Sequence, residues 1–373
     1  MNFTLRNLFA ALAAAGTLLA SAEDENYQDN WSPASKYNRN PSLIAALCQD
    51  FVDDAGEKAV SDFGLGILEG ADGLFGFASD DYSEEPPPNP MYPEPLEKDA
   101  LYFGGTDLGR YIPETLVLND GVRPDVSVVT QNCLADGNYM AVIRERYGKK
   151  CAIPSEDEHR DAFRKFVEGV QSGKIDARDA VTIGDGKATI TGTLAVMKLN
   201  EILAKHVFEK NKGKHAMYVQ ESYHVEWMYD YMTPHGLVTK LNAEKSGAVS
   251  KAEVRESAEF WDWMTKRLIS NKEFAQRRAE SCRKGADGKM DSNHRLVVRD
   301  FSKLRLTHAK LYSRAKNGAA FAEAIRQAVA IDPLEPETGW YYSWLLKASK
   351  LNAGRDDYRG YTEKFGGSTA GWR

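Results

Sequence analysis

The motifs that usually name a reaction are missing from this sequence. It has no HExxH pair to hold zinc on a helix, no GxSxG elbow to present a nucleophilic serine, and no phosphate-binding P-loop. No Asp-Thr-Gly or Asp-Ser-Gly triplet occurs, so a pepsin-type carboxylate dyad lacks its usual signature. Cysteine is scarce, at four in 373 residues, and none has the close-pair spacing of a zinc site. His206, His215, His224 and His235 fall at no standard ligand spacing. After the first 22 residues no apolar run approaches the roughly 20 residues that a membrane-spanning helix needs, so no membrane span is expected there. Nucleic-acid-binding motifs are absent too, and no nucleic-acid partner is expected.

What is present begins with a leader. Arg6 supplies a positive start, "LFAALAAAGTLLA" an apolar centre, and Ala20-Ser21-Ala22 a small-x-small cleavage site. Residues 1–22 therefore read as a signal peptide, which places the chain in a secreted or periplasmic compartment. Charge is uneven beyond it. Residues 23–100 carry 18 acidic and 4 basic side chains, whereas 101–373 carry 36 acidic and 43 basic. An acidic arm thus precedes a mildly basic body. Solubility explains that split; so would an arm folded over a basic face, or a face that meets sulfated or sialylated glycans.

In an exported chain, Cys48, Cys133, Cys151 and Cys282 allow two disulfides in three connectivities. Cys133 and Cys151 flank one predicted helix and form the favoured pair; a bridge there would stabilise by about 3 kcal/mol. Free thiols are the alternative.

Texture divides the mature chain into three parts. Residues 23–98 hold one helix, over 40–64, and then a Gly-rich and Pro-rich stretch that reads as an arm without regular structure. Residues 99–245 alternate strands such as "ALYFG", "DVSVVTQ" and "HAMYVQ" with helices such as "GRYIPETLVLN" and "GNYMAVIRERYG". Ser155 and Glu158 stand at capping-box spacing ahead of another helix. This alternation predicts an α/β fold with a mostly parallel, doubly wound sheet. Residues 246–373 read as helices only, and "FAEAIRQAVAIDPLEPETGWYYSWLLKA" resembles one tetratricopeptide unit.

Parallel sheets bind ligands beyond the carboxyl ends of their strands. Three such ends are polar here. The first offers Gly104, Gly105, Thr106 and Asp107, with Arg110 opening the next helix. The second offers Gln131, Asn132, Asp136 and Asn138, and the third Glu221, Ser222, Tyr223 and His224. Asp107, Asp136, Glu221 and His224 are the candidate catalytic residues; Gly104, Gly105, Thr106, Arg110, Asn132 and Tyr223 are the candidate substrate contacts. Two carboxylates held close split their pKa values, which acid/base hydrolysis requires. The same acidic groups with a histidine could hold a divalent metal, and the glycines would let backbone N–H groups approach an anion. Residue by residue, the alternatives are a helix cap at Asp107, a tight turn at Gly104-Gly105 and an arginine pair for Glu221. No cofactor or resident metal is assigned.

The segments "GGTDLGRYIPETLVLNDGVRPDVSVVTQNCLADGNYM", "CAIPSEDEHRDAFRKFVEGV", "MYVQESYHVEWMYDYMTPHGLVTKLN" and "FSKLRLTHAKLY" follow one another in this order. Over residues 98–350 this order resembles the extramembrane C-terminal region of bacterial multispanning proteins similar to GT-C membrane O-mannosyltransferases. In that family the transferase chemistry lies in the membrane half, so the likeness implies a fold and proximity to glycoproteins or glycans. As a stand-alone exported chain, the layout also resembles mucin-degrading proteins described as aspartic-type proteases. That likeness, one of layout rather than of a catalytic motif, implies a secreted hydrolase acting on mucin-type glycoprotein; for carboxylate chemistry the strand-end residues themselves put Asp107 first, beside Glu221 or Asp136. The alternative is a non-catalytic glycan- or protein-binding module.

Overall fold

The computed structural model describes residues 57–76, 87–105, 108–177, 181–184, 187–190, 192–247, 249–272, 274–276, 278–279 and 296–348. The leader, Cys48, Cys282, Thr106 and Asp107 lie outside the described residues. Helices α1 (Glu57–Leu68) and α2 (Gly70–Gly76) come first. Next are β1 (Leu101–Gly104), α3 (Leu108–Leu118), β2 (Ser127–Thr130), α4 (Gly137–Tyr147) and α5 (Glu156–Gln171). The short hairpin β3 (Val181–Gly184) and β4 (Lys187–Ile190) precedes α6 (Thr193–Asn211), β5 (Met217–Val219), β6 (Met232–His235) and β7 (Val238–Leu241). The remaining described elements are helices: α7 (Lys251–Ser270), α8 (Leu296–Arg314), α9 (Gly318–Ile331) and α10 (Pro336–Ala348).

Five strands form one sheet in the order β2-β1-β5-β7-β6. β1 pairs in parallel with β2 and β5, whereas β7 runs antiparallel to both β5 and β6. The sheet is therefore mixed, which corrects the mostly parallel expectation. Only Gly236 and Leu237 separate β6 from β7, and so short a link can join only antiparallel neighbours. The hairpin also takes Met232 from the segment read as helical; the helix there is a single 3-10 turn, Glu226–Asp230.

Alternation along the strands feeds two cores. Tyr102, Val128, Tyr218 and Val238 point to one face, where they pack with Phe63 of α1, Tyr111 and Ile112 of α3, Trp261 of α7 and Phe301 of α8. Leu101, Phe103, Val129, Met217, Val219 and Leu241 point to the other, against Met140 of α4, Phe166 of α5 and Leu203 of α6. Helices thus cover both faces. A further core joins α8, α9 and α10 through Leu306, Tyr312, Phe321, Ile325 and Tyr342. Each large side chain fully buried in these cores contributes on the order of 1.5–3 kcal/mol.

The Gly-rich segment is more ordered than its composition suggests. α1 continues through Gly64 and Gly66, and α2 follows at once. A Cβ at Gly64 would lie 2.5 Å from Leu116 Cδ1 and 2.6 Å from Ile112 Cγ2, so the glycine lets α1 press against α3. Close packing there outweighs the poor helix propensity of glycine.

Cys133 and Cys151 are buried free thiols, which corrects the favoured disulfide. Cys133 sits in the 3-10 turn just past the carboxyl end of β2. Cys151 instead shares a hydrogen bond with Ser127, at the amino end of the same strand. A four-residue strand separates these ends by about 10 Å, beyond the reach of a disulfide.

Candidate functional site: the carboxyl rim of the sheet

β1 is an inner strand, and the chain leaves it to build β2 on one side and later β5 on the other. The loops after β1 and β5 therefore part, which makes this rim a topological switch point. Thr130 is level with Gly104, and Val219 is level with Phe103. Gln220 N donates to Phe103 O (2.9 Å), which carries the pairing one residue beyond β5. Gly104 is packed rather than open: a Cβ there would stand 2.3 Å from Gly109 O. The first turn of α3 lies directly on the end of β1.

The sequence-predicted residues divide into groups. Glu221 and His224 meet. The buried Glu221 carboxylate accepts from Tyr229 Oη (2.6 Å), Lys310 Nζ (3.1 Å) and Thr307 Oγ1 (3.4 Å). His224 Nδ1 stands 3.4 Å from Glu221 Oε1, and its Nε2 lies 2.9 Å from Glu226 Oε2. Burial opposes the charge on Glu221, but the Lys310 ammonium and the His224 and Tyr229 donors outweigh it and hold the carboxyl far below the usual range. Burial likewise opposes protonation of His224, yet hydrogen bonds to Glu221 and Glu226 raise its pKa above the ordinary histidine value. Glu221 is thus held as the carboxylate near neutrality.

Asp136 is separate from this pair. It is the N-cap of α4, accepting from Asn138 N (2.7 Å) and Tyr139 N (3.2 Å). Arg110 is buried with Glu114 (2.6 Å), which Arg146 also contacts. The carbonyl of Asn132 accepts from Asn200 Nδ2 (2.9 Å), tying the end of β2 to α6. Tyr223 Oη donates to Met197 O (3.3 Å) and is half-buried.

Thr307, Lys310 and Arg314 complete the charged side of the rim, and sequence reading passed over them because they lie in the helical tail. Their i, i+3, i+7 spacing was the available signal, one polar stripe on α8. Lys310 also pairs with Glu337 (2.9 Å), and Arg314 contacts Glu226 and Asp230 (2.6 Å). Thr130, which reads as an ordinary strand residue, was missed as well. Among the described residues, its Oγ1, Gln131 Oε1 and Ser222 Oγ are buried without a hydrogen-bond partner. They stand at the ends of β2 and β5, which flank β1 at about 10 Å from each other.

Among the described residues, no group of three or more His, Cys, Asp or Glu side chains is arranged to hold a metal ion, and no helix is long and apolar enough to cross a membrane. No protein-family model, no characterised protein and no solved structure matches this chain.

Proposed function

We propose that the chain is an exported binding protein for mucin-type glycoprotein, which takes a neutral, hydroxyl-rich part of a glycan at the carboxyl rim of its sheet. The observation that carries this reading is the contrast between two sets of polar groups. The charged groups of the rim satisfy one another, whereas Thr130 Oγ1, Gln131 Oε1 and Ser222 Oγ have no partner among the described residues. Two hydroxyls and an amide oxygen suit a ligand that both donates and accepts, as sugar hydroxyls do. Burying such groups unpaired is costly, and a ligand that pairs them recovers that cost. On this reading the sheet is a doubly wound scaffold, and the α9–α10 pair is a tetratricopeptide-like unit that packs against α8.

A second reading, hydrolysis of the same glycoprotein, draws on one observation. His224 stands at the rim, half-buried, and Glu221 orients it as a carboxylate orients a catalytic histidine. One experiment separates the readings. The mature protein is incubated with purified mucin, and also passed over immobilised mucin before and after enzymatic removal of its O-glycans. Retention that depends on glycans, with no new peptide N-termini and no released sugar by mass spectrometry, supports the binding protein. Cleavage products that disappear in the His224→Gln protein would establish the hydrolase instead.

A further inference from the structure

A second polar centre lies on another stripe of α8. Arg305, His308 and Tyr312 recur at i, i+3 and i+7, and all three are fully buried. The guanidinium carbon of Arg305 is 5.6 Å from the centre of the Trp261 ring and 5.8 Å from that of Tyr312. The His308 ring stands 5.9 Å from the same Trp261. The three side chains therefore share one small volume beneath α7.

Among the described residues, Arg305 has no counter-ion there. Its Nε donates to Gln327 Oε1 (2.7 Å) and its Nη1 to Ser257 Oγ (3.1 Å), both neutral. Asp262 is reached only through Gln327, whose Nε2 donates to Asp262 Oδ1 (2.8 Å). Arginine does not escape the penalty by losing its proton, so a buried guanidinium without an anion is costly. Three atoms here make no hydrogen bond among the described residues: Arg305 Nη2, Tyr312 Oη and His308 Nδ1.

Their chemistry specifies a partner. His308 Nε2 lies 3.0 Å from Val238 O, and a carbonyl only accepts, so Nε2 carries the proton. Burial, together with the nearby Arg305 charge, keeps the ring neutral, which leaves Nδ1 as an acceptor. The centre thus offers a cationic donor, a phenolic donor and one acceptor. We propose that it binds a small oxyanion that carries an O–H, of the hydrogenphosphate or hydrogencarbonate class. The anionic oxygens accept from Arg305 Nη2 and Tyr312 Oη, and the O–H donates to His308 Nδ1. The Tyr92 phenol lies within the electrostatic reach of Arg305 and Tyr312, and Tyr92 also borders a surface crevice with Pro87, Pro88, Asn89, Glu256, Glu259 and Phe260.

The test is calorimetric titration of the full mature chain with phosphate, hydrogencarbonate and sulfate, at neutral pH and matched ionic strength. Phosphate or hydrogencarbonate binds, and whichever does so identifies the source of the anion; sulfate, which has no O–H at this pH, binds at least tenfold more weakly. Arg305→Gln and Tyr312→Phe each weaken binding at least tenfold. Tyr312→Phe deletes a single oxygen, so it reports on the site even where the arginine variant does not fold. Absence of binding, equal binding by the wild type and Tyr312→Phe, or sulfate binding as tight as phosphate overturns the proposal.

Discussion

Glu221 gathers four partners from three places: the 3-10 turn through Tyr229, the strand-end loop through His224, and α8 through Thr307 and Lys310. Removing one partner of a buried pair leaves the other charge uncompensated. Lys310→Met should therefore cost about 3–5 kcal/mol in urea denaturation. Histidines set a second property at this scale. Burial pushes His308 down to about 3 and His235 down to about 4, so both are neutral in the native state at pH 6. Unfolded histidine titrates near 6.5, so between that value and about 3 the unfolded chain binds more protons. This contribution is fully present above pH 6.5 and is lost as the pH falls towards 3, by up to about 1.4 kcal/mol per unit for each histidine. His224 has the opposite sign: its raised pKa contributes below 6.5 and is lost as the pH rises through its folded value. Urea midpoints from pH 7 to 4 should thus fall, and His308→Gln should flatten that slope.

Elements were legible wherever the signal was local. Ser155 and Glu158 form the capping box that their spacing announces, and Ser155→Ala should cost about 1 kcal/mol in thermal or urea unfolding. β1, β2 and β5 lie where alternation and apolar runs placed them, because each buries both of its faces. Pairing was less legible, since direction depends on how strands are joined rather than on their own residues. The β6–β7 hairpin shows this: aromatic "VEWMYDYM" reads as a helix until the turn at Gly236 draws Met232 into a strand. Gly64 and Gly104 were read as breakers or ligand contacts, yet each serves close packing. Gly104→Ala would drive a Cβ to 2.3 Å from the Gly109 carbonyl, so a loss of about 1–3 kcal/mol is expected on thermal unfolding.

At the scale of the whole molecule, the helical tail is part of the rim rather than an appendage. α8 lends Thr307, Lys310 and Arg314 to groups that end β5, and α10 adds Glu337 behind Lys310. Contacts of this kind, some 80–90 residues apart in sequence, leave no periodicity to read. That the loops after β1, β2 and β5 lie on one rim was legible, because parallel strands end on the same side of the sheet. The chemistry of that rim was not, because pairing among Glu221, His224 and Lys310 decides which polar groups are left over. The most direct test of a ligand-binding rim is Thr130→Val, which removes one unpartnered hydroxyl and keeps the shape of the side chain. If the hydroxyl serves a glycan, the variant unfolds at equal or higher temperature, with up to about 1 kcal/mol gained, and binds mucin glycans about tenfold more weakly. Unchanged glycan affinity, with or without a gain in stability, would contradict a binding site at this rim.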